Sequence, residues 1–553
     1  MKSAFLLALL TAMALPLPAQ QKLVESIEVR VVNIDVVVTD RAGNPVTGLT
    51  KDDFQLFENG RPQTITNLYE VRPETTIAAP APAAAATAAQ PTLPPPAEMR
   101  IRRFVIFIDN YSLHPFKRNQ IFKSLNKFVD EQMRPEDEAE IVLWSQSLKI
   151  ITPFTTDRKA LKAGIAQLSE HSNSGMSIDN EADQVRRRCQ EWLDVARDGK
   201  LLTMPQAYDM CKSEVSAHAD RVWMISKTLL EAMRLTMTTL SGLEGKKVMI
   251  FAGAHLPEQP GRELYMYMVQ LFSPFLRNIN PTQGFITDRS QTFSIERLAR
   301  QANADGVTMY MIDAADSRDT KSAEEGRMIE GDESFMKFTN TATAYLTLAR
   351  VTGGISVTNT SNFDVAFNTV AHDLNSYYSL GYKPTDDKPG DHRVVVKTKN
   401  SAYSVRSRTT YAPKTAEEQI NDRVVANIYH SGMNSDWPIT LKTGTPIANG
   451  ERFEIPIEIS LPPTVTLLPQ GEELVGGFNV YIAVGSDNGA MSKVTRSAQP
   501  IRIPKSAEAG LRSKPMSFTA TILVRPGEST LSVAAVDQIS NTAGLARTHL
   551  SAK

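Results

Sequence analysis

Four apolar runs in the middle of the chain set the strictest limit on its fold. Phe104-Val-Ile-Phe-Ile-Asp109, Glu140-Ile-Val-Leu-Trp144, Lys247-Val-Met-Ile-Phe251 and Gly306-Val-Thr-Met-Tyr-Met-Ile-Asp313 are nearly continuous rather than alternating. That is the pattern of a strand covered on both faces. Between and beyond them apolar residues recur at helical spacing. They include Ile121, Phe122, Leu125 and Phe128 within 118–133, and an amphipathic stretch introduced by Thr156-Asp-Arg158. Further helices are expected over 222–243, 295–304 and 335–351, the last stopping at Gly353-Gly354, where a left-handed cap needs glycine. Ile150-Ile-Thr152 reads as a short partner strand. Strands and helices in this succession predict a doubly wound sheet with helices on both faces, spanning 100–375.

The flanks read as β. Ile27 to Asp40 alternates for much of its length and ends in the turn Asp40-Arg-Ala-Gly-Asn-Pro45. Strands at 54–57 and 64–71 are joined through Asn59-Gly60, a strong short hairpin signal. After the α/β stretch come strands at 377–382, 392–397 and 403–408. Each flank has too few strands to close a core. Residues 21–72 and 376–412 are therefore expected to pair as one sandwich into which the α/β domain is inserted. Pro73 to Glu98, rich in alanine and proline, predicts an extended linker over 73–99. Thr415 to His430 reads as a helix within a 413–436 connection, and eight or so short strands over 437–553 predict a second sandwich.

A length of 553 residues allows for this many parts, and 60 Lys+Arg against 61 Asp+Glu leaves no global field for nucleic acid or an anionic membrane. Lys2 followed by the apolar run Phe5 to Leu15 and by Pro16-Leu-Pro-Ala-Gln20 predicts a secretory signal peptide over 1–20, cleaved near Ala19. The run is shorter than the roughly 20 residues that span a bilayer, and no later segment is both long and uncharged enough. The expected product is exported, periplasmic or extracellular, with no transmembrane segment. Two cysteines exclude a framework of many disulfides and any four-thiolate metal site. Export places Cys189 and Cys211, in a polar helical insertion over about 172–219, in an oxidising compartment, where a bridge between two short helices is expected.

Val31 to Gly60, with its Asn-Pro-Val-Thr-Gly-Leu-Thr-Lys-Asp-Asp-Phe core, and Tyr377-Tyr-Ser-Leu-Gly-Tyr382 ahead of Val405 to Tyr411 together resemble the bacterial exported family called the VWFA-related Acidobacterial domain. The resemblance spans about 25–412. It implies a von Willebrand factor A-like, Rossmann-like domain flanked by Ig-like sandwiches. It further implies a metal-ion-dependent adhesion site at the carboxyl ends of the parallel strands, built on a first loop written Asp-x-Ser-x-Ser, a threonine from a second loop and an aspartate from a third. Here the first loop reads Asp109-Asn110-Tyr111-Ser112-Leu113, with only the aspartate in register. The third loop, Ala252-Gly253-Ala254-His255, has no carboxylate, and Ser172 to Ser177 offers hydroxyls in place of the threonine. A magnesium ion wants near-octahedral oxygen coordination, so no metal is expected. Any divalent cation would fall to Asp109, Ser112, Ser174 and Ser177. His114 and His255 with Asp109 could hold zinc, although two ordinary loop histidines are the plainer reading. Asp313 ends a strand on the same face and is read as capping the next helix.

No phosphate loop, dinucleotide fingerprint, zinc-protease pair or nucleophile elbow occurs, and Arg186-Arg-Arg188 lies among carboxylates as a solvated helical face. The expectation is a non-catalytic, cofactor-free interaction module that binds a protein or cell-surface ligand through a rim at Asp109, Tyr111, Ser112, His114 and His255. A metal-dependent adhesion protein working through a rearranged Asp109 site, and an exported hydrolase of unrecognised type, are the alternatives.

Overall fold

The protein is described by a computed structural model covering residues 31–72, 101–172, 175–275, 289–315, 329–358, 360, 362–384, 388, 390–486 and 491–553, with backbone alone for 329–336. The expected signal peptide, the proline-rich linker and Ser174 lie outside these residues. Among the described residues, no helix is long and apolar enough to cross a membrane.

The chain begins with strands β1 (Val32–Thr39), β2 (Phe54–Glu58), β3 (Arg61–Gln63) and β4 (Ile65–Val71). Asn59 and Gly60 both take positive φ, 49° and 80°, which lets β2 turn straight into β3.

The α/β domain follows as β5 (Arg102–Asp109), α1 (Pro115–Glu131), β6 (Glu138–Trp144), β7 (Leu148–Thr155), α2 (Arg158–Glu170), α3 (Ser177–Asp198), α4 (Met204–Ser241), β8 (Lys246–Gly253), α5 (Arg262–Phe272), α6 (Thr292–Asp305), β9 (Val307–Asp313), α7 (Ile329–Thr352), β10 (Ser356–Val357) and α8 (Phe363–Asn375). Its six strands run in the order β10-β9-β8-β5-β6-β7, parallel except for β7. Successive β5 residues alternate between two cores. Val105 and Phe107 pack with α4, α6 and α7, whereas Phe104, Ile106 and Ile108 pack with α1, α2 and α8. Burial on both faces is why the run is apolar throughout.

The region expected as a self-contained insertion of two short helices is different. α3 has 22 residues, and α4 is one helix of 38 residues that runs straight through position 219. Its apolar stripe, Val215, Ala219, Val222 and onward to Leu229 and Met233, keeps helical spacing, so nothing ends the helix there. The amino-terminal half of α4 packs with α3 and α5 in a third core, and the other half covers the sheet. Cys189 of α3 and Cys211 of α4 are disulfide-bonded, their Cα atoms 4.9 Å apart.

The chain then returns to the first strands through β11 (Tyr377–Tyr382), β12 (His392–Thr398), β13 (Ser404–Ser407) and β14 (Thr410–Tyr411). Two four-stranded sheets result, β13-β1-β11-β4 and β14-β12-β2-β3. Ile34 stands opposite Leu380, and Leu56 opposite Val396. Both sheets contribute to one core through Ile34, Val36, Phe54, Leu56, Leu380 and Val394.

Helix α9 (Ala416–Tyr429), opened by a Thr415–Glu418 capping box, links this assembly to the carboxyl-terminal region. There β15 (Thr440–Thr443), β16 (Ile447–Asn449), β17 (Arg452–Leu461) and β21 (Met516–Val524) form one sheet. β18 (Leu467–Gln470), β19 (Glu473–Ser486), β20 (Thr495–Pro504), β22 (Gly527–Asp537) and β23 (Ala543–Ala552) form the other. Ile455, Ile457 and Ile459 meet Phe478, Val480 and Val533 between them. α9 lies outside that core, with Val424 and Ile428 on Tyr481 and Ala534, while Ala426 joins the α4 side of the α/β domain. Gly242 lets α9 come this close, since a Cβ at 242 would lie 2.4 Å from the Asp422 carbonyl oxygen.

Candidate functional site

The parallel strands end together at one edge of the α/β sheet, where β5 delivers Asp109, β8 delivers Gly253 and β9 delivers Asp313. Asp109 is 1% exposed. Its Oδ1 accepts hydrogen bonds from the backbone N–H groups of Tyr111 and Ser112, each at 3.2 Å, an Asx-type turn that draws the carboxylate inward. Its Oδ2 accepts from the Ser112 hydroxyl at 2.5 Å, and that same Oγ accepts from Ala254 N at 2.9 Å. Ser112 therefore ties the first loop to the third with both its proton and a lone pair. Gly253 permits the approach, because a Cβ there would meet the Phe251 ring at 2.7 Å and Asp109 Cβ at 3.1 Å.

Burial pushes the Asp109 carboxyl up to about 7, with the Ser112 and Tyr111 hydrogen bonds pulling the other way. Burial likewise pushes Asp313 up to about 6, opposed by the Ala315 N–H, which donates to its Oδ1 at 2.9 Å. Tyr345 of α7 is fully buried, and burial followed by the Asp313 and Asp109 charges holds its phenol well above the usual range.

The rim residues expected from the sequence do not lie together on the surface. Asp109, Ser112 and His255 are buried, drawn below the edge by the turn and the cross-loop bonds. Tyr111 is half-buried, its ring edge-on to Trp144 at 5.9 Å. His114 is exposed and caps α1, its Nδ1 accepting from Phe116 N at 3.3 Å. His255 is held down to about 3 by burial first and the Lys337 charge next, opposed by Asp179, and among the described residues its Nε2 has no hydrogen-bond partner. Asp109, His114 and His255 therefore do not form a zinc-binding set. Ser177 is exposed at the start of α3. Among the described residues, no three His, Cys, Asp or Glu side chains are grouped to hold a metal ion.

Two residues that organise this edge were not singled out in the sequence. Asn110, fully buried, donates through Nδ2 to Ser145 Oγ at 3.1 Å and to the Ser172 carbonyl at 2.8 Å. Its Oδ1 accepts from Arg118 Nη1 at 3.0 Å, which also reaches the His171 carbonyl at 3.0 Å. Arg118 lies one helical turn beyond the His114 cap, on the buried side of α1, and that placement was the available signal. The same elements carry exposed apolar side chains, Phe116 in the first turn of α1 at 63% and Met176 just before α3 at 47%.

No protein-family model matches the chain, and no curated protein does. Among solved structures, similarity is found to an aerotolerance-related membrane protein from Bacteroides fragilis (8% identity, 50% of this chain and 98% of that one, TM-score 0.23). It is also found to the conserved hypothetical protein BatB from Bacteroides thetaiotaomicron (10%, 50% and 96%, TM-score 0.21). A mutant of the PilB minor pilin from Streptococcus sanguinis is a third (13%, 51% and 63%, TM-score 0.27). These likenesses are weak, and the fold described above stands on its own strand order.

Proposed function

We propose that this is an exported, non-catalytic binding protein. Its α/β part is read as a von Willebrand factor A-type domain set between Ig-like sandwiches, and it takes a protein or cell-surface ligand at the carboxyl edge of the sheet without a metal ion. The observation that carries the metal-independent reading is the Ser112 bridge. The hydroxyl nearest Asp109 is spent between Asp109 Oδ2 and Ala254 N, so the first loop turns its oxygens inward rather than toward an incoming cation. Binding is assigned to the outer surface of the same loops, at Phe116, Met176 and His114, because exposed aromatic and methionine side chains on a rigid base favour protein contacts.

Two measurements test this. Calorimetric titration with magnesium, calcium and manganese should show no tight binding, and a saturable one-site isotherm would replace the reading with the metal-dependent one. A photoreactive residue at Phe116 or Met176 in producing cells should give a discrete adduct, while one at Leu468, equally exposed on the carboxyl-terminal region, should not. Equal labelling at all three positions would remove the rim from consideration.

A further inference from the structure

A cavity of about 290 Å³ lies at the opposite, amino edge of the sheet, between the β13-β1-β11-β4 sheet and the starts of β8 and β9. Its lining mixes valine and tyrosine walls with three cations, Lys246, Lys247 and Arg408, and a single carboxylate, Asp35. Lys246 is accounted for, since its Nζ lies 3.2 Å from Asp35 Oδ2 and 3.4 Å from the centre of the Tyr377 ring. The other two cations are answered by neutral groups. Lys247 Nζ donates to the Ser241 carbonyl at 3.1 Å, and Arg408 donates to the carbonyls of Asn303 and Asn33. Among the described residues, neither has a carboxylate at ion-pair distance. Asp305 and Asp422, the nearest candidates on the adjoining cleft, are both engaged by Lys414.

Lys247 and Arg408 are half-buried, and the carboxylates around them, Asp35, Asp305 and Asp422, are each already engaged by another lysine; such an excess of partly buried cations favours a bound anion. The strain is visible at Lys247, whose ammonium burial holds down to about 8, with Asp305 and Asp422 opposing and Lys414 and Arg408 reinforcing. It stays protonated at neutral pH. Gly306, whose φ of 68° caps α6, places its backbone beside the Lys247 side chain. Ser379, Tyr69 and Thr308 supply polar and aromatic walls.

We infer that this seam is a binding site for a small oxyanion, a carboxylate or a phosphate, held between the Lys247 ammonium and the Arg408 guanidinium. The volume is at the low end for ligand pockets, about 300 Å³ and upward, so the occupant is a small acid rather than a nucleotide. Because its two cations come from β8 and from the link between β13 and β14, the anion would also pin the first sandwich to the base of the α/β domain.

The test is calorimetry on the full chain at neutral pH and constant ionic strength, with inorganic phosphate, malonate and, as neutral control, glycerol. One of the two anions should bind at one per chain with a Kd of about 1 mM or tighter. Which one binds separates the phosphate from the carboxylate source. Lys247→Gln should weaken binding about tenfold or more and Lys247→Arg should largely retain it, as charge-assisted contacts require. Arg408→Gln should weaken binding too, but it also removes hydrogen bonds to two carbonyls, so the Lys247 pair decides. Leu468→Ser, on the carboxyl-terminal region, should bind as the parent does. Absence of binding by both anions, or equal binding by Lys247→Gln, overturns the inference without touching the proposed rim.

Discussion

At the carboxyl edge of the six-stranded sheet the buried carboxylates Asp109 and Asp313 are answered by backbone N–H groups and one hydroxyl, and the buried Arg118 by an amide oxygen and carbonyls. At the amino edge the cations divide into two kinds. Arg102 is matched by Asp137 through two hydrogen bonds, with Asn375 Oδ1 accepting a third at 2.9 Å. Lys247 and Arg408 have carbonyls only. Where partners are neutral the protonation equilibrium is displaced, upward for Asp109 and downward for Lys247. The difference separates charge used to close the fold from charge held under strain, and only the second kind is available for a ligand.

The largest expected effect comes from breaking the matched pair. Asp137→Ala leaves the Arg102 guanidinium, 2% exposed, without its carboxylate and also removes the acceptor for Arg134 N. A loss of about 3–5 kcal/mol is expected, read by denaturant or thermal unfolding. A loss as small as that of an exposed pair would show that the amino edge is wetter than its geometry implies.

Asp109→Asn should act in the opposite direction. The folded pKa of Asp109 lies above its unfolded value, so its ionisation opposes folding. Any stabilisation from the neutral acid is complete below about 4 and is lost as pH rises toward 7. The amide imitates the protonated acid, so the variant should match the parent at about pH 4 and exceed it by about 4 kcal/mol at about pH 8. Unfolding midpoints across that range check it. A smaller effect belongs to Ser112→Ala, which leaves Ala254 N without its acceptor and Asp109 without its hydroxyl donor, about 1–2 kcal/mol. The loss should be greater above pH 7, where the carboxylate is ionised, and unfolding at about pH 5 and pH 8 distinguishes this from a plain packing defect.

The same contrast explains how much of the molecule is legible in its sequence. Strands buried on both faces declare themselves, because Phe104 to Ile108 has no solvent side to spend polar residues on. The hairpin at Asn59-Gly60 is written in two residues whose backbone tolerates positive φ. α8 was legible in Phe363, Phe367, Val370 and Leu374 after an Asn362 cap, but it is short and comes directly after a two-residue strand, so it did not stand out. The pairing of Val32 with Tyr382 rests on contacts across most of the chain, and no local pattern carries a register of that kind. At the candidate site, Asp109 was visible as a strand-terminal carboxylate. The inward turn of Ser112 was not, because whether a hydroxyl faces an ion or a backbone N–H depends on how close Gly253 lets the third loop come. Lys247 and Arg408 are unremarkable in sequence and far apart along the chain, and become a site only when the link after β13 is laid against the base of the sheet.

The smallest effect on stability is expected at the rim, and that smallness makes it informative. Phe116 is largely exposed, and its backbone N–H, not its ring, serves the His114 cap. Phe116→Ser should therefore leave the unfolding free energy within about 0.5 kcal/mol of the parent. If the carboxyl edge is a binding surface, the same substitution should abolish the discrete adduct formed by a photoreactive residue at Met176, just before α3. Unchanged labelling would mean that the aromatic side chain is one of the scattered exposed apolar residues any folded surface carries. The strained cations of the amino edge would then be the stronger claim to a ligand in this protein.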